Sequence, residues 1–458
     1  MKTVVKRIIL LVVAFVLEGV LGALLINGIE NHNLANSKII LLIMALMLMI
    51  PVALIALLFA LTFKRRMESS TVVVAAPINE ATGGKKRGKK GKKTEIDDSA
   101  ERFCMLSAID RKRNTYGHVK YNTSVTLEEF CDNFRSYAAY KHKLYYDIED
   151  IRRFVAGMSV SHMLILQGMS GTGKTSLAHA IGSFVDNSST IIPVQPMWKE
   201  RTDLIGYYNE FTRRFNETLL LTKMYEANYN KDIYVTVLDE MNIARVEYYF
   251  AEFLSLLELP NPEERYLDVV SDKWDNDPVQ LKDGRIKLPT NMWFIGTANN
   301  DDSTFLISDK VYDRAMILDL DQKTERFVAH PTERIIISAD YFESLVASAQ
   351  KEYEISYRNR KRLELFDEYL ISHFHVTFGN RIMKQILTYI PVYIACGGDE
   401  LFALDDILSK KVIRKLESQN PIYFKNAADG LIAYMDDLFG ADNMTLCKEH
   451  IKRILRNA

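Results

Sequence analysis

Cysteine is scarce in this chain of 458 residues. The four present, Cys104, Cys131, Cys396 and Cys447, lack the close spacing of metal ligands, which speaks against a cysteine-built zinc site or a disulfide framework. They fit a reducing compartment, packed as small apolar groups. Net charge is nearly absent too, at −1, but that value is a cancellation. Residues 1–93 hold 14 Lys and Arg against 4 Asp and Glu, a net +10, leaving 44 and 55 for residues 94–458, a net −11. So acidic a body is a poor non-specific ligand for polyphosphate. No internal repeat and no nuclease-like cluster of acids is visible.

Long apolar runs are present. Ile8–Ile26 and Ile39–Leu61 are each long enough to cross a hydrocarbon core of roughly 30 Å as a helix. The short polar connection GIENHNLANS predicts a transmembrane hairpin, with Glu18 inside the first span and Pro51 kinking the second. The alternative for the first run is a cleaved signal peptide, but no small-residue cleavage site follows it. Lys2, Lys6 and Arg7 precede the first span, and Lys64, Arg65 and Arg66 follow the second. The positive-inside rule then predicts a cytoplasmic-membrane protein with both termini cytoplasmic. The tract GGKKRGKKGKK beyond the spans reads as membrane-surface contact and flexible tether, with nucleic-acid binding the weaker reading.

The strongest chemical signal lies downstream, in HMLILQGMSGTGKTSLAHAIGSFV. Met163–Gln167 reads as a buried strand and Lys174 onward as a helix. Between them, Gly168 to Thr175 fits G-x-x-x-x-G-K-[ST] in strand–loop–helix context. In such a loop Gly168, Ser170, Gly171, Thr172 and Gly173 turn backbone amides toward phosphate oxygens, and the helix terminus at Lys174–Ser176 adds partial positive charge. Lys174 is placed to reach the β- and γ-phosphates, and Thr175 to ligate magnesium. In DIYVTVLDEMN a second apolar strand, Ile233–Leu238, ends in Asp239 and Glu240. The aspartate suits the magnesium shell, and the glutamate can polarise an attacking water. Read alone, the pair would be two solvated acids.

A third strand in MWFIGTANNDDST leads to Asn299, which can bond the γ-phosphate or the water, or serve only as a turn residue. Arg314, in SDKVYDRA, can act as a finger reaching a neighbouring subunit's site or as a surface ion-pair partner. Thr126 followed by Glu129 predicts a capping box at a helix start.

Together these residues resemble the AAA+ superfamily, and within it the clade of MoxR-like ATPases and McrB-like motor subunits. LDEMNIARVEYYFAEFLSLLE looks like that clade's extended Walker B segment and WKERTDLIGYYNEFTRRFNET like its insert after the second strand. FGNRIMKQILTYI with ALDDILSKKVIRKLES is similar to the helical lid of McrB-like proteins. The resemblance implies an α/β AAA+ P-loop NTPase, a parallel sheet sandwiched by helices, with a C-terminal helical lid. The expected divisions are a hairpin at 1–66, a basic linker at 67–99, a helical lead-in at 100–158, the core at 159–333 and the lid at 334–458. It further implies a hairpin within Pro260–Pro289, a trans-acting Arg314, a second interface candidate in Arg245, and nucleotide contact from the lid by Arg381. ATP is the expected nucleotide, with GTP left open.

The resemblance also implies a homo-oligomeric, hexameric ring, because each site is completed by its neighbour. The expected function is a membrane-anchored ATPase that remodels or gates a partner protein. The alternatives are the motor of a restriction or phage-defence system with a separate effector, and a nucleic-acid motor. A membrane hairpin in place of a DNA-reading domain departs from the McrB-like pattern.

Overall fold

The structure is a computed structural model that describes residues 101–116, 119–299, 304–321 and 324–457. Both apolar runs and the basic tract lie outside the described residues. The expected placement as a two-span protein of the cytoplasmic membrane is corrected, because among the described residues no helix is long and apolar enough to cross a membrane.

Three helices lead in: α1 (Met105–Lys112), α2 (Leu127–His142) and α3 (Ile148–Val160). The capping box expected at α2 is present, with Thr126 Oγ1 accepting from the Glu129 amide at 3.2 Å and the Glu129 carboxylate accepting from the Thr126 amide at 3.0 Å. Next come β1 (Met163–Gly168), α4 (Lys174–Phe184), β2 (Thr190–Pro193), α5 (Thr202–Ile205), and a hairpin of β3 (Gly206–Asn209) and β4 (Arg214–Glu217). Then follow α6 (Leu219–Ala227), β5 (Tyr234–Asp239), α7 (Val246–Tyr249) and α8 (Ala251–Glu258). A small antiparallel sheet holds β6 (Tyr266–Asp268), β7 (Leu281–Lys282) and β8 (Arg285–Lys287). The hairpin expected between Pro260 and Pro289 turns there at Asp283 and Gly284, both with positive φ, as a tight two-residue turn requires. The core closes with β9 (Met292–Asn299), α9 (Asp309–Tyr312) and β10 (Met316–Asp319).

The central sheet runs β10-β1-β9-β5-β2, and every pairing is parallel. Because successive side chains of a strand point to opposite faces, β1, β5, β9 and β10 each feed two cores. Leu164, Leu166, Val237, Ile295 and Leu318 pack on one face with α2, α3 and α4. Ile165, Leu238, Phe294 and Ile317 pack on the other with α6, α7 and α8. The remainder is helical: α10 (Ala339–Glu352), α11 (Tyr357–Phe374), α12 (Gly379–Ala395), α13 (Glu400–Lys411), α14 (Pro421–Phe439) and α15 (Thr445–Asn457). Their buried residues, among them Phe366, Tyr389 and Leu408, join the core that holds α2 and α3. Lead-in helices α2 and α3 and the lid therefore share one interior with a face of the sheet, while Leu106 and Ile109 of α1 pack in the other core.

Candidate functional site

The motif residues gather where β1, β9 and β5 end side by side. In register, Gly168 lies opposite Asn299 and Leu238 opposite Gly296, so the P-loop, Asn299 and the Asp239–Glu240 pair share one edge of the sheet. Two glycines permit this. Gly168 has φ of 144°, and a Cβ there would stand 2.6 Å from the Leu320 carbonyl oxygen. A Cβ on Gly296 would overlap Met241 Sδ at 1.9 Å, so a side chain at that position would push the turn after Asp239 away.

The loop runs from Gly168 through exposed Met169, Ser170 and Gly171 to Thr172 and Gly173, with Gly171 and Gly173 at φ of 81° and 90°. Thr172 Oγ1 donates to the Met169 carbonyl at 3.0 Å, closing the loop on itself. Buried Lys174 donates from Nζ to the carbonyls of Gly168 at 3.0 Å and Met169 at 2.7 Å. The Tyr146 hydroxyl, just before α3, donates to the Gly173 carbonyl at 2.9 Å and pins the loop's far end. Ser176 lies in the first turn of α4, whose N-terminus carries the partial positive charge that favours anions.

Asp239 is the hub. Its Oδ1 accepts from Thr175 Oγ1 at 2.7 Å and from Thr297 Oγ1 at 2.9 Å, and Thr297 Oγ1 in turn accepts from the Glu240 amide at 2.9 Å. Three separate segments thus meet through one hydroxyl–carboxylate chain. Glu240 is exposed and sits in left-handed conformation at φ 53° and ψ 48°. For a non-glycine residue that conformation costs on the order of 1–3 kcal/mol, sustained by the bonds around it. Asn242 steadies the neighbouring turn, donating from Nδ2 to the Asn299 carbonyl at 3.0 Å and to Thr304 Oγ1 at 2.9 Å.

Beside the loop lies a cavity of about 850 Å³ with a strongly charged lining that includes Asp147, Arg153, Asp321, Ser409 and Lys410. Burial raises the Asp321 pKa above the ordinary carboxylate range, and nearby Asp319 adds to the rise while Lys174 opposes it. Deeper in, burial pushes the Asp406 carboxyl up, but Lys410 and Arg153 outweigh it and hold the group below its ordinary value.

Arg314 and Arg381 lie elsewhere. Met316 pairs with Leu164, so Arg314 precedes the opposite end of the sheet from Gly168. Four residues of strand separate Leu164 from Gly168, about 13 Å at 3.3 Å each, and Arg314 lies beyond that. Its Nη2 meets Glu258 Oε2 at 2.7 Å, and Arg381 pairs with the other oxygen of the same carboxylate. The lid arginine that the resemblance assigned to the nucleotide thus stands with the finger candidate. Arg245 stacks over Phe305 instead, 5.2 Å from the ring centre.

Sequence reading missed Tyr146, Thr297 and Glu258. Thr297 alone had a signal, being the polar residue in an apolar strand two positions before Asn299. Among the described residues no group of three or more His, Cys, Asp and Glu is arranged to hold a metal. The Thr175 hydroxyl and Asp239 carboxylate do supply the hard oxygen donors that magnesium prefers.

Residues 163–315 match the AAA domain family, dynein-related subfamily. A curated relative, the Lon protease of Mycoplasma mobile, is 26% identical over 289 residues, covering 60% of this chain and 29% of that protein. The chain therefore spans less than a third of that relative's length. A solved structure, that of a full-length MCM homolog from Methanopyrus kandleri, is 13% identical and covers 61% of this chain and 58% of that one, with a TM-score of 0.35. The α/β fold of residues 163–315, with its parallel sheet, is that of an AAA domain, a P-loop nucleoside triphosphatase module.

Proposed function

We propose that this chain hydrolyses ATP within a ring of identical subunits and uses the cycle to remodel or gate a partner protein. The observation that carries this reading is the Thr175–Asp239–Thr297–Glu240 chain, which ties the P-loop helix to two strand ends. In it, the amides of Gly168, Ser170, Gly171, Thr172 and Gly173 and the first turn at Ser176 cradle the β- and γ-phosphates. Lys174 exchanges its carbonyl partners for phosphate oxygens. Thr175 and Asp239 would hold magnesium, whose charge offsets that of the phosphates when it is bound.

Glu240, held at a fixed angle by its amide bond to Thr297, orients and polarises the attacking water. Asn299, opposite Gly168, bonds the γ-phosphate or that water. Arg314 lies too far from its own P-loop to act there, so it serves the adjacent subunit, which is what makes a ring necessary.

The run LDEMNIARVEYYFAEFLSLLE and the inserted hairpin β3–β4 favour a place near MoxR-like and McrB-like ATPases. That placement keeps a second reading, a restriction-type or phage-defence motor with a separate effector and with GTP as fuel. Hydrolysis assays with ATP and GTP on wild type and Glu240→Gln test the core proposal. The variant should bind nucleotide and not turn it over. Full activity in Glu240→Gln would refute the mechanism, and a strict GTP requirement would favour the second reading.

A further inference from the structure

We propose that Glu258 is a positioning residue that presents Arg314 and Arg381 as one paired cationic edge to the neighbouring subunit's nucleotide. The inference rests on the ATPase reading above and extends it to how the trans contact is built.

Glu258 ends α8, which follows α7 and the Asp239–Glu240 turn in the chain. Its two oxygens are divided between the two arginines, one ion pair each. Each pair uses one terminal nitrogen of a guanidinium that carries five N–H donors, so the remaining donors of both forks can face outward. The side chains of Arg314 and Glu258 are about three-quarters buried, at 27% and 26% exposure, while Arg381 is 52% exposed. A carboxylate shared in this way sets the spacing and orientation of two like charges that would otherwise repel.

The lid also braces the backbone around Arg314. Gln385 Nε2 on α12 donates to the Asp313 carbonyl at 3.3 Å. Lys411 at the end of α13 is buried and donates from Nζ to the carbonyls of Tyr312, at 2.8 Å, and Ala315. The residues on both sides of Arg314 are therefore fastened to the lid, while its guanidinium is fastened to the end of α8. Lid position, the end of α8 and the paired arginines are mechanically one unit. Whether a subunit's own nucleotide moves its lid then decides how its arginines meet the next site.

The test is steady-state hydrolysis by the full chain carrying Glu258→Ala or Glu258→Gln, with Arg314→Ala and wild type in parallel. Thermal melting confirms that each variant is folded. Glu258→Ala should lower kcat about 10²-fold with KM nearly unchanged, as expected for a misplaced catalytic group. Glu258→Gln keeps the length but loses the charge, and should fall between it and wild type. Mixing Glu258→Ala with Glu240→Gln subunits, which have intact arginines and inactive sites, should restore turnover.

If either Glu258 variant matches wild type, or Arg314→Ala is rescued in such mixtures while Glu258→Ala is not, the proposal is wrong and the ATPase reading stands. Wild type that hydrolyses neither ATP nor GTP overturns both.

Discussion

The two ends of the central sheet are built differently. At one end the chemistry comes from short contiguous stretches: Gly168 to Ser176, Asp239–Glu240, and Asn299, brought together by three adjacent parallel strands. At the other end Arg314, Arg381 and Glu258 come from a strand approach, a lid helix and a helix terminus far apart in sequence. The first end is a local motif set by a strand, a glycine-bearing loop and a helix in order. The second depends on how the lid settles against the core. On the proposed mechanism the first end acts within its own subunit and the second in the next one.

The largest effects should come from the phosphate end. Lys174→Ala should abolish nucleotide binding, measured by equilibrium titration. Glu240→Gln should retain binding and lose turnover by about 10³-fold or more, comparable to the loss of a major electrostatic contribution. Arg314→Ala should reduce kcat by a similar ~10³-fold while leaving nucleotide affinity within a few-fold. That split in its effects is what separates the two ends.

Thr297→Val keeps the side chain's shape but removes the hydroxyl between Asp239 and Glu240. Its loss should lower kcat by roughly 10–100-fold through misorientation of both carboxylates. A wild-type rate in this variant would mean that the hydroxyl–carboxylate chain does not organise the site.

The smallest effect sharpens the lid end. Burial holds the Lys411 ammonium at a pKa of about 7, far below its ordinary 10.5, with Asp313 opposing that shift. The folded state therefore binds fewer protons than the unfolded one between about pH 7 and 10.5, so this group makes stability rise with pH in that window. The slope it adds should approach about 1.4 kcal/mol per pH unit. The buried thiols of Cys131 and Cys447, raised by burial, act in the opposite direction above about pH 8.5. The difference between wild type and Lys411→Met in denaturant unfolding at pH 7, 8 and 9 cancels them. An equal slope in both proteins would show that Lys411 is not held in that environment.

The same contrast explains what the sequence made legible. The P-loop and the strand-end carboxylates could be read because their spacing is set by one strand and one turn, and the capping box at Thr126 because it spans a single helical turn. Thr297 was passed over because a threonine in an apolar strand is ordinarily a β-former, and only the register of Gly296 against Leu238 and the turn at Glu240 give it partners. Glu258 closed an amphipathic helix and carried no mark of its own. Arg381 was assigned from resemblance to the nucleotide, yet its carboxylate partner is the one Arg314 uses, a relation that no local pattern encodes. The apolar runs near the start were read from their length and their flanking positive charges, and the localisation drawn from them has been corrected above.

The claim that most needs testing is that the two ends of one subunit serve different sites. Purified Arg314→Ala and Glu240→Gln chains, each inactive by itself, should be mixed in equal amounts and assayed for ATP hydrolysis. The account predicts that turnover returns on mixing, because intact arginines then meet intact Glu240 sites across a subunit boundary. A mixture as inactive as its components, under conditions where the two chains are shown to co-assemble, would contradict it.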